Sequence, residues 1–162
     1  MITVLRSVSM MAAALTMGLS AGLFATFFYS VMPGLRVVGD GTFVEAMRKI
    51  NIQMLNGWFA LCFGGALVFT LAAALLQLGA GGSAIWWTVA GLVLYVIVLI
   101  ITFGVNVPLN DALEASGGTN VAAAREQFEA AWVRWNVART ALSAGAFGCV
   151  AWALIVHGRL TA

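Results

Sequence analysis

Charge is what this chain has least of. Charged residues make up 9% of its 162 residues, where a soluble domain carries about 25%. That shortage excludes an ordinary soluble domain. Net charge is only +2, and no basic run or nucleic-acid motif occurs, so nucleic acid is excluded as a partner. The single histidine, His157, excludes a haem held by two histidines and leaves a His-based metal site without companions. The two cysteines, Cys62 and Cys149, lie in apolar stretches without a CxxC pair. They read as small apolar packing residues. No carboxylate falls inside an apolar stretch, so a proton-coupled transporter would lack its usual carrier. No internal repeat is evident either.

What is present is hydrophobicity: 62% of residues, with a mean hydropathy of +1.00. Charge-free gaps run from Arg6 to Arg36, from Lys49 to Asp111 and from Arg139 to Arg159. The middle gap is long enough for two helices and a turn. A span needs roughly 20 apolar residues, which predicts four transmembrane helices at about residues 7–32, 54–78, 84–107 and 138–157. The expected fold is therefore all-α. It is a four-helix transmembrane bundle in one integral membrane domain, with amphipathic helical segments on one membrane face. The first apolar run exceeds a signal-peptide core and reads as a retained helix.

Four spans put both termini on one side, called side A here. The uncharged turn "LGAGGSA" joins them there. Side B receives the two longer connections, Pro33–Gln53 and Pro108–Val137, and nearly all the polarity. Arg36, Arg48, Lys49, Arg125 and Arg134 fall on side B, against Arg6 and Arg159 on side A. The positive-inside rule then predicts a cytoplasmic side B and outside termini, in a bacterial inner membrane. In the first connection, Pro33 and Gly34 are expected to stop span one. Thr42 and Glu45 form a capping-box pattern that opens a short helix. Phe43, Met47 and Ile50 make its apolar stripe, on the membrane surface or leading into span two. In span one, Gly18 and Gly22 form a GxxxG match, which fits bundle packing or a homo-oligomer contact.

The candidate site is a convergence of side-B polar residues. "NVPLN" carries Asn106 and Asn110 around Pro108, a residue without the N–H that a helix needs. These amides either cap the helix end or line a cavity. "WVRWNVART" places Asn136, Arg139 and Thr140 within one turn, with Trp132 and Trp135 nearby. The bland reading is an interfacial belt of Trp and snorkelling Arg. Asn136 and Arg139 lie deeper than such a belt, and an intramembrane ionisable residue is a functional candidate. Asn56 and Trp58 enter span two from the same side, and Arg36 leaves span one there. Topology alone thus predicts a polar pocket at the side-B mouth of an apolar bundle, ringed by Trp58, Trp132 and Trp135. Such a pocket suits a flat hydrophobic ligand.

Taken in order, "FFYSVMPGL", "AMRKIN", "NVPLN" and "WVRWNVART" make the chain resemble the anthrone oxygenase-like family of small four-helix membrane proteins. The resemblance runs from about Gly18 to Trp152. The positions that match are Pro33, Asn51, Asn106, Pro108, Asn110, Trp135, Asn136, Arg139 and Thr140. It implies oxidation of an anthrone to an anthraquinone by O2 without metal or flavin, hence no cofactor. On that basis Arg139, Asn106, Asn136 and Asn110 are the expected catalytic residues. Trp135, Trp58, Asn56, Arg36 and Thr140 are the expected substrate-binding ones, and Asp111 or Glu45 the nearest candidate bases. The expected partners are the lipid bilayer and a hydrophobic aromatic molecule. The competing readings are a non-catalytic structural or interaction membrane protein and a small transporter.

Overall fold

A computed structural model describes residues 1–80 and 82–161. Every regular element among them is helical. Helix α1 spans Ile2–Arg36, α3 spans Gly57–Gln77 and α4 spans Ala84–Ala115. Between α1 and α3 lies α2, Asp40–Met54. The last helix, α5, is Val121–Thr161. Four of them, all but α2, are long and apolar enough to cross a membrane. The chain fits an integral membrane protein.

Helix α1 packs against α3 and α5, and α4 packs against the same two. The four long helices therefore close into a ring. Small residues set the close approach of such helices. Ala13, Ala66 and Ala146 are fully buried beside Met17, Tyr95 and Val150. The tightest point is Gly91, where an added Cβ would lie 2.8 Å from Val150 Cγ2 and 3.1 Å from the Ala146 carbonyl oxygen. Gly91→Ala is expected to destabilise the bundle by about 1–3 kcal/mol through overpacking, read as a lower melting temperature in detergent. Gly18 faces Phe147 of α5, its Cβ position 3.2 Å from the ring. That half of the GxxxG match serves packing within the chain.

The helices run further than their apolar cores. Neither proline ends its helix: α1 continues past Pro33 to Arg36, and α4 past Pro108 to Ala115. The reason is a π turn just ahead of each proline, Phe27–Val31 in α1 and Thr102–Asn106 in α4. A wider turn makes room for the pyrrolidine ring and absorbs the missing N–H. Met32 N–H reaches back to the Phe27 carbonyl, and Val107 N–H to that of Thr102. A third π turn, Ala60–Gly64, opens α3. Here the Tyr95 hydroxyl donates to the Phe63 carbonyl at 2.8 Å.

The helix predicted from Thr42 exists, but it starts at Asp40 with Gly39 as its N-cap, and no side chain caps it. The capping box does not form. Glu45 pairs instead with Lys49, whose ammonium holds the Glu45 carboxyl below the usual carboxylate range. Nor does α2 lie apolar side down on lipid. Its Phe43, Val44 and Met47 are covered by Leu113 of α4 and by Phe128 and Trp132 of α5. Arg125 locks the α1–α2 connection over this layer. It donates to the carbonyls of Arg36 and Val38, both at 2.9 Å, and pairs with Asp40 and Glu129. The side-B ends of α1, α4 and α5 and all of α2 thus form a cap on the bundle.

Candidate functional site

Under that cap lies a cavity with about 660 Å³ of empty space, counting its mouth. Phe24 and Phe27 line it from α1, Phe59 and Phe63 from α3, Thr102 and Asn106 from α4, and Trp132, Asn136 and Arg139 from α5. The end of α2 adds Asn51 and Met54. Each of the three π turns supplies at least one wall residue: Phe27, Phe63, and the pair Thr102 and Asn106. Such turns cluster at functional sites because they re-aim side chains that a regular helix would turn elsewhere.

Arg139 sits at the back of the cavity, 5% exposed. One Nη donates to Asn136 Oδ1 at 3.0 Å, and the other reaches Thr102 Oγ1 at 3.4 Å. Its guanidinium carbon lies 4.5 Å from the centre of the Phe24 ring and 5.4 Å from that of Trp132. Nε has no hydrogen-bond partner. None of the ion pairs among the described residues includes Arg139. The two aromatic faces and two neutral oxygens offset only part of its desolvation. Cation–π contacts contribute about 2 kcal/mol when dry, whereas burying an ion costs several kcal/mol.

The amides divide into two kinds. Asn136 Nδ2 donates to the Phe24 carbonyl at 3.0 Å while its Oδ1 receives Arg139. It ties α5 to α1 and orients the guanidinium. Asn110 Oδ1 accepts from Trp132 Nε1 at 2.9 Å and fixes the indole. Asn106 is less satisfied. Its Nδ2 makes one long contact to the Trp132 carbonyl at 3.4 Å, and its buried Oδ1 has no partner. Asn106 does not cap a helix end. Asn51 Nδ2 is also buried without a partner. Unpaired polar atoms in one apolar cavity mark places where a ligand's own polar atoms fit.

Of the residues singled out in the sequence, Asn51, Asn106, Asn110, Trp132, Asn136 and Arg139 line this cavity together. The others do not. Trp58 is 78% exposed on the outer surface. Asn56 caps α3: its Oδ1 accepts from Phe59 N–H at 3.0 Å, and its Nδ2 donates to the Gln53 carbonyl. Arg36 pairs with Glu129 on the side-B surface. The Thr140 hydroxyl donates to the Asn136 carbonyl within its own helix. Trp135 lies off the cavity, and Trp132 takes the wall position, 4% exposed. Helix phase separates the two tryptophans, because Trp132 shares the face of Asn136 and Arg139 at i, i+4 and i+7. Among the described residues no carboxylate lines the cavity; Asp111 is exposed, and Glu45 is held by Lys49. His157 is at the opposite end of α5, with Nε2 3.2 Å from Ser7 Oγ.

Sequence reasoning missed the phenylalanine walls and Thr102. In so apolar a chain a phenylalanine carries little signal. The one available cue was that "FFYSVMP" and "TFGVNVP" share a spacing of aromatic and proline.

Comparison with curated proteins gave no match, and comparison with solved structures gave none. A family model described as Anthrone oxygenase matches residues 57–149, from the first turn of α3 well into α5. The matched segment includes Asn106, Asn110, Trp132, Asn136 and Arg139. With more than half of its length matched, the chain belongs to the anthrone oxygenase family.

Proposed function

We propose that the side-B cavity binds a flat aromatic ketone of the anthrone type and oxidises it with O2. The observation that carries this reading is Arg139, a buried cation with no carboxylate partner, set among aromatic rings. Such a site is complementary to an aromatic molecule that develops an oxyanion.

The chemistry needs little from the protein. An anthrone has a CH2 group whose proton is acidified by the carbonyl across the ring. Loss of that proton places negative charge on the carbonyl oxygen, where Arg139 holds it. Among the described residues no carboxylate lines the cavity, so the proton passes to water, and Arg139 makes that loss easier by stabilising the anion. The electron-rich carbon then adds O2, forming a C–O bond and, after protonation, a hydroperoxide. The remaining hydrogen leaves that carbon as a proton, the O–O bond breaks, and water departs. One anthrone and one O2 give one anthraquinone and one water. Asn136 orients Arg139, and Asn106 supplies a neutral contact to the ring's substituents. Phe24, Phe63 and Trp132 hold the plane.

The test is O2 uptake by the purified protein in detergent with a simple anthrone. The expected stoichiometry is one O2 consumed per anthraquinone formed, without accumulation of hydrogen peroxide. Uptake no faster than in protein-free detergent would remove the oxygenase reading.

A further inference from the structure

The mouth of the cavity is not where a water-borne substrate would arrive. Its back wall comes from α1 and α5, and there Phe24, Phe27, Trp132, Asn136 and Arg139 are all buried. Apart from Leu23, the lining residues with exposed surface come from the α2–α3 joint and from α4. Two of them stand out: Leu55 at 79% and Phe103 at 63%. Trp58 and Ile100 flank them, exposed at 78% and 64%. The opening is therefore bordered by large apolar side chains on the outer face of a chain that fits an integral membrane protein. The amides Asn51 and Asn110 line the cavity near this opening.

One edge of the opening is a built feature. Helices α2 and α3 are separated by only Leu55 and Asn56. Asn56 bridges the joint, donating to the Gln53 carbonyl and accepting from Phe59 N–H. Its own N–H donates to the Met54 carbonyl at 2.8 Å. These bonds hold Leu55 outward at the mouth.

We infer that the gap between the α2–α3 joint and α4 is a lateral portal, through which an aromatic substrate dissolved in the bilayer slides edge-on to Arg139. Leu55 and Phe103 are its jambs and select for flat molecules. A hydrophobic molecule concentrates in the leaflet, and here it passes Leu55 and Phe103, then the amides Asn51 and Asn110, before meeting a guanidinium that has no carboxylate partner. The inference rests on reading the cavity as a site for an aromatic ligand, but not on turnover.

The test is labelling of a thiol at the back wall. In a background with Cys62→Ala and Cys149→Ala, Thr102→Cys places a thiol beside Arg139. Its sulfur adds across a maleimide double bond, and the thiol proton ends on the neighbouring carbon. Freeze–thawed lipid vesicles expose both faces of the protein to two reagents: bilayer-soluble N-phenylmaleimide and a water-confined sulfonated maleimide. The sulfonate is attracted to Arg139, which biases the comparison against the portal. N-phenylmaleimide is expected to label. Leu55→Trp or Phe103→Trp is expected to slow it by about tenfold, and Leu15→Trp, on the exposed face of α1 and outside the cavity lining, by less than about twofold. Leu55 and Phe103 are exposed, so tryptophan there leaves the fold intact, checked by the melting temperature. Comparable labelling by the sulfonated reagent, no slowing by either jamb variant, or no labelling at all would overturn the portal. O2 uptake is measured separately on the wild-type protein in the same vesicles. Jamb-dependent labelling without uptake would keep the portal and remove the oxygenase; uptake without jamb dependence would do the reverse.

Discussion

Arg139→Met is expected to lower anthrone-dependent O2 uptake by about 10²–10³-fold while the melting temperature holds or rises. The two effects have one cause. The guanidinium is buried with two neutral acceptors, two ring faces and no carboxylate. Replacing a buried ion by an apolar side chain of similar volume is often neutral or stabilising by about 1–4 kcal/mol. Methionine is unbranched and apolar like the arginine stem and fills part of the space between Phe24 and Trp132. What it cannot do is hold an oxyanion, and the fall in rate measures that loss. Arg139→Lys keeps the charge but loses the planar fork that reaches Asn136 and Thr102 together. It is expected to retain a part of the activity. A folded Arg139→Met protein with full uptake would place the chemistry elsewhere.

Asn136→Asp should silence the site in a different way. The substituted carboxylate would stand where Asn136 Oδ1 now lies, 3.0 Å from an Arg139 Nη. It would give the arginine, within the chain, the anion that the substrate is proposed to bring. Uptake is expected to fall by about 10²-fold, with the larger part in kcat, because the internal carboxylate competes with an anion that forms only after the neutral substrate is bound. Stability is governed by opposing changes. A charge-assisted pair is gained, and the donation to the Phe24 carbonyl is lost. The melting temperature should therefore stay within about 3 °C. Asn136→Leu separates the contributions: it loses the tie to α1 without adding a charge. If Asn136→Asp turns over as well as wild type, Arg139 does not meet an anion in the reaction.

Much of the bundle is legible in the sequence. Three gaps without charge place four apolar helices, because a charge inside a bilayer is costly and ionisable residues there are rare. Topology then brings Asn106, Asn110, Asn136 and Arg139 to one membrane face, and the cavity lining gathers those four. What escaped the sequence has physical reasons. Pro33 and Pro108 read as helix stops, because a regular α-helix cannot hold them. The π turns that accommodate them leave no composition signature. Trp135 and Trp132 are three residues apart, and only the phase of α5 against α1 and α4 decides which faces inward. Asn56 and Trp58 have the right depth and the wrong direction. Composition reports depth well and direction poorly.

A π turn is an α-helix that has accepted one additional residue. Removing any one codon between those for Thr102 and Asn106 would close the wide turn, and Pro108 would then kink the helix there. Everything after it would swing by about 100° and retreat by about 1.5 Å. Asn110 would leave the cavity, while Gly91 and its tight contacts nearer the other membrane face would stay in register. The same holds for α1 at Phe27–Val31. The chain therefore keeps its scaffold and its pocket in separable stretches of text. Single-residue insertions and deletions near the prolines are the changes by which relatives of this chain would gain, lose or redirect a site without rebuilding the bundle beneath it.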